Sequence, residues 1–151
     1  MALPMMIQEL PQVSVITGSE VIAVNQGDDT FHATIAQIFA APIFTLTISQ
    51  NSQSADYTTV LSDSGKHLLH PSTDNNPRVF TIDSNAHVAY TLGTALTFVN
   101  KINTLTIAIT SDTLTFAGVG TTGSRTLPAN SMATAIKIGT TEWMISGAGL
   151  S

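Results

Sequence analysis

His67 and His70, in "GKHLLHP", are the first residues of this sequence whose spacing could serve chemistry. On a helix, two imidazoles three positions apart share a face and can hold a metal ion, with Asp63 or Asp74 as a possible third ligand. A helix is not expected here, because the turn-forming "SDSGK" leads into the pair and Pro71 closes it. A solvated or interface loop is the preferred reading, and no metal ligand is assigned. His32 and His87 stand singly beside apolar residues and read as hydrogen-bonded histidines at the margin of a core. Symmetry alone would change that: near a threefold axis one histidine becomes three, enough to bind an ion.

The carboxylates come next. Asp28, Asp29, Asp56, Asp63, Asp74, Asp83 and Asp112 fall almost entirely in turn-like sequence, where an aspartate bonds its own backbone two residues on. Glycoside hydrolysis would need two carboxylates about 5–10 Å apart across a cleft, and Trp143 is the sole tryptophan available as a sugar platform. The stretch "GVGTTGSRT" begins as G-x-G but lacks the following helix of a phosphate cradle. No G-x-S-x-G elbow occurs, and no Ser–His–Asp set stands out from a background rich in serine and threonine. No catalytic residue and no cofactor is assigned, and an enzyme is not expected.

The elements that would position these residues are short strands. "LTIAIT" (105–110) puts Leu105, Ile107 and Ile109 on one face and Thr106, Ala108 and Thr110 on the other, the period of a half-buried strand. "YTTVL", "RVFTI", "VAYTL", "ALTFV", "TLTFAG", "ATAIKI" and "EWMIS" follow the same pattern between glycine- and asparagine-bearing turns. Such spacing predicts an all-β C-terminal domain over 57–151, an antiparallel sandwich or jelly roll. Residues 42–56 read as a strand, "IFTLTIS", running into the polar linker "QNSQSA". Residues 1–41 read as a small β-rich module: strands at "VSVI" and "VIAV", the turn "NQGDD", then a short helix in "TIAQIFAA". Thr34 and Gln37 are spaced as a capping box, and Pro42 ends that helix. The module is too small to bury a core alone and needs a partner surface.

Composition narrows the function. Only 10% of the 151 residues are charged, against a usual share of about 25%, and serine and threonine fill the gap. That neutral, hydroxyl-rich surface is poor for a lone soluble monomer and suits packing against copies of itself. The net charge is −5, and the five basic residues are scattered, so no nucleic-acid footprint is expected. No cysteine is present. No stretch reaches the ~18 apolar residues of a membrane span, and the first residues do not read as a secretory signal.

Several stretches carry a likeness. "YTTVLSDSGKHLLH", "PRVFTIDSNAHVAYTLGTALTFVN", "LTIAITSDTLTFAGVGTTGSRTL" and "ATAIKIGTTEWMISGAGL" together resemble a β domain of tailed-bacteriophage virion proteins, found in fibre, spike and neck chains. The matching positions are Tyr57, Asp63, Gly65, Lys66, Asn85, Gly93, Thr94, Lys137, Glu142, Trp143 and Gly147. Asp83 departs from the pattern, which has proline there. "ELPQVSVITGSEVIAVNQGDDTFHATIAQI" is similar to short, typically trimeric N-terminal modules that attach such appendages, through Leu10, Pro11, Gly18, Glu20, Gln26, Gly27, Thr34 and Ile38.

The resemblance implies a phage virion structural protein, a homotrimeric fibre, spike or decoration made in the host cytoplasm and carried on the particle. Its partners would be itself and other virion proteins of the portal or neck, capsid or tail, with no nucleic acid and no membrane. Leu10, Val15, Val21, Val24, Phe31, Ile35 and Ile38 are the expected attachment and interface residues. Trp143 is the candidate anchor in the β domain, with an intrachain core beside Ile136, Ile138 and Ile145 as the preferred alternative and its ring N–H in need of an acceptor. The rival function is receptor recognition, in which loops 63–78 and 118–131 contact a host-surface glycan.

Overall fold

The computed structural model describes residues 21–26, 29–34 and 47–151. The chain divides into two compact units, Met1–Leu46 and Thr47–Ser151. In the first, β1 (Val21–Gln26) and β2 (Asp29–Thr34) pair antiparallel, with Val21 opposite Thr34 and Val24 opposite Phe31. The strand expected at 13–16 and the helical turns expected after Thr34 lie outside the described residues.

The second unit is all-β. Its chain passes back and forth between two sheets: β3 (Gln50–Ser52) to β4 (Tyr57–Thr58), β5 (His67–His70) to β6 (Arg78–Ile82), and β7 (Ala95–Asn100) to β8 (Leu105–Ile109). Successive coils stack in parallel. β3, β5 and β7 align on one sheet, and β4, β6 and β8 on the other. This is a short β-solenoid, and the expected antiparallel sandwich or jelly roll is not what forms. A period of two reports which side chains face inward; it says nothing of the direction of the neighbouring strand.

Four further strands close the unit: β9 (Thr113–Phe116), β10 (Arg125–Leu127), β11 (Ser131–Gly139) and β12 (Glu142–Gly147). β10 runs antiparallel beside β8, and β11 antiparallel beside β7. β12 returns along β11 and takes β9 in parallel at the sheet's edge. Between the sheets lies one apolar core. Leu68 and Phe98 adjoin in register on one wall, and Phe80 and Ile107 on the other.

The register of β11 is unexpected. Ala133, Ala135 and Lys137 point inward, while Met132, Ile136 and Ile138 are exposed. Volume explains the alanines: Ala133 lies beside Phe98, and Ala135 between Leu96 and Ile145, so the neighbours have filled the space. Gly147 belongs to the same fit, since a Cβ there would stand 2.5 Å from that of Ala133.

Other expectations shift locally. "HLLH" is a central strand and not a loop. β3 arises from the polar stretch read as a linker. "VAYTL" forms no strand, and only the first two residues of "YTTVL" do.

Candidate functional site

The strand through His67 and His70 separates the two imidazoles. Residues three apart on a strand face opposite ways, so His70 is buried and His67 half-exposed. The His67 ring meets Gln50 Oε1 at 3.0 Å. Among the described residues no three histidine, aspartate or glutamate side chains gather as a metal ion would require. His87 sits in an exposed turn against Asp83, 3.2 Å away. His32 lies on β2 opposite Ala23.

His70 instead joins a buried polar cluster between the second and third coils. Asn100 donates through its amide nitrogen to the Leu127 and Asn103 carbonyls, which leaves its Oδ1 facing His70 Nδ1 at 2.8 Å. His70 Nε2 faces the Asp74 carbonyl at 2.9 Å. Asp74 in turn accepts from Arg78 Nε at 2.6 Å and Nη2 at 3.0 Å, and from Asn76 at 2.6 Å. The Arg78 fork, then the Asn76 amide, hold the Asp74 carboxyl well below the usual carboxylate range. The same bond raises the Arg78 guanidinium.

The first coil ends on a second polar cluster. Asp63 is buried and accepts from Tyr57 Oη at 2.8 Å, Asn51 at 2.9 Å and the Val60 backbone N–H at 2.9 Å. Burial raises the Tyr57 phenol, and the bond to Asp63 adds to it. Beside it Tyr90 donates to the Val60 carbonyl at 2.7 Å, and burial pushes its phenol up to about 12.

None of these aspartates bonds its own backbone two residues on, as the sequence suggested, although Asp63 and Asp74 do hold the nearby Val60 N–H and Asn76 amide. Asp56 accepts from the Val79 N–H and Asp112 from the Asn85 N–H, so each ties one coil to another. Their partners are distant in sequence, and no local signal could have found them.

A third cluster surrounds Trp143, which is wholly buried in this chain and is therefore not a surface anchor. Ile145 shares its interior face, but Ile136 and Ile138 point the other way; the expected neighbours are only partly right. Tyr90 meets the indole edge-on, with ring centroids 5.4 Å apart. The indole N–H finds no acceptor among the described residues. Lys137, its partner in register, places Nζ over the ring at 5.5 Å and donates to Asn85 Oδ1 at 2.7 Å.

The outer face of β7, β11 and β12 is the remaining candidate. Met132, Ile136, Ile138 and Met144 are 40–55% exposed there. Thr97 and Thr134 bridge β7 and β11 through their hydroxyls at 3.1 Å. Apart from Glu142 at its end, these strands present no ionisable side chain outward. Val21, Val24 and Phe31 lie on the β1–β2 hairpin; Leu10, Val15, Ile35 and Ile38 lie outside the described residues. Of the two expected recognition loops, 63–78 contains β5 and 118–131 contains β10, and the greater part of each lies outside strands. No family model, no curated protein and no solved structure matches this chain.

Proposed function

We propose that this chain is a structural component of a tailed-phage particle, a homotrimeric fibre, spike or decoration that works by assembly and not by turnover. Residues 1–41 would attach it to the head, neck or tail, and the β unit would face outward. The observation that carries this reading is the register of β11. A slip of one residue would bury Ile136 and Ile138 and release Lys137 to water; the chain instead keeps lysine inside and isoleucine outside. Covering a half-exposed isoleucine is worth on the order of 1 kcal/mol, so a second copy seated on this face recovers what the monomer forgoes.

Charge points the same way. When a face meets its own copy around a symmetry axis, each charged residue approaches its like. The middle of this face carries none.

Light scattering on purified chain tests the reading, with an expected mass of three times 15.9 kDa. The double variant Ile136→Lys, Ile138→Lys is expected to run as a folded monomer with an unchanged β circular-dichroism spectrum. A solitary wild-type chain at micromolar concentration would overturn the proposal.

A further inference from the structure

We propose that Lys137 and Asn85 are the two partners of an intramolecular isopeptide cross-link. Lys137 is 2% exposed, yet among the described residues no carboxylate pairs with it. A buried, unpaired ammonium is costly. Its surroundings are an aromatic ring, Trp143, and one amide, Asn85, whose Oδ1 lies 2.7 Å from Nζ. That contact places a buried amine against a half-buried carboxamide. Groups held so escape the entropic cost of meeting, which is the main obstacle to aminolysis of an amide.

A carboxylate stands on the same asparagine. Asp112 is buried and accepts the Asn85 backbone N–H through both oxygens, at 3.2 and 3.1 Å. It is the group available to carry protons.

The step balances without oxidant or cofactor. Nζ attacks Cγ of Asn85, the Nζ–Cγ bond forms and the Cγ–Nδ2 bond breaks. Starting as an ammonium, Nζ gives up two protons and keeps one. The departing nitrogen takes both and leaves as ammonium, with Asp112 carrying them one at a time. A buried charge is replaced by a neutral secondary amide, and β11 becomes covalently tied to the segment that follows β6. The proposal does not depend on self-association and stands for a monomer as well.

Mass spectrometry of the denatured full chain tests it. The expected mass is that of the sequence less one ammonia. Trypsin should then leave 126–151 uncut at Lys137 and joined to 79–101 as one branched species. A chain at full sequence mass, cut normally after Lys137, overturns the proposal. So does an ammonia loss confined to 79–101, which is what a cyclic imide at Asn85 would give. Lys137→Arg and Asn85→Ala are expected at full sequence mass. Asp112→Asn should remain largely unlinked; complete linkage in that variant removes Asp112 from the role of proton carrier.

Discussion

Protonating Asp74 undoes its carboxylate bonds to Arg78 and Asn76 together. Its carboxyl is held below its ordinary value, so the stability it brings is present above about pH 4 and is lost as acid carries the folded chain toward the depressed value. Urea midpoints taken from pH 7 down to pH 2 should therefore fall on the acid side. In Asp74→Asn the midpoint should be lower at pH 7 and the acid decline shallower. An equally steep decline in the variant would place the acid sensitivity elsewhere. At this scale Asp56, Asp63, Asp74 and Asp112 are ties that hold one stretch of chain to another. Their types were legible in the sequence, but not their partners: Asp112 bonds the backbone of Asn85, twenty-seven positions back.

At the level of strands, β8 and β7 were plain because their apolar residues alternate and both edges find neighbouring strands. β5 was hidden: "HLLH" does not alternate, and Gly65 and Pro71 on either side read as turns. β3 is polar throughout, and exists because the β5 backbone offers it an edge. "VAYTL" alternates well but forms no ladder; Tyr90 is buried by its ring and its bond to Val60 instead. Coiling itself left no trace, because the stacked positions 51, 68 and 98 are unequally spaced and give no repeat to detect. β11 misled for a different reason, since large neighbours leave room only for alanine at 133 and 135. That fit predicts the effect of Gly147→Ala. Its new Cβ would meet the Ala133 Cβ and the Met132 carbonyl at 2.5 Å, between backbones that cannot yield without parting β11 from β12. The variant is expected to lose about 2–3 kcal/mol in a urea titration, whereas Gly120→Ala, with open space around it but a φ of +82°, should lose only about 1 kcal/mol of backbone strain.

For the whole molecule, the covered-face reading makes stability a matter of concentration. Association that favours the folded state raises the apparent unfolding temperature as protein is added. Calorimetry of the wild type over a hundredfold dilution should show the midpoint falling, and the Ile136→Lys, Ile138→Lys chain should show one that stays put. A wild-type midpoint indifferent to dilution would leave the outward isoleucines without a role. The unequal steps between stacked positions have one more consequence. Each coil advances the stack by only ~4.8 Å, whatever number of residues it takes to come round. Inserted residues therefore add girth and not reach, so a homologous chain could grow considerably longer between β6 and β7 without projecting any farther along that axis.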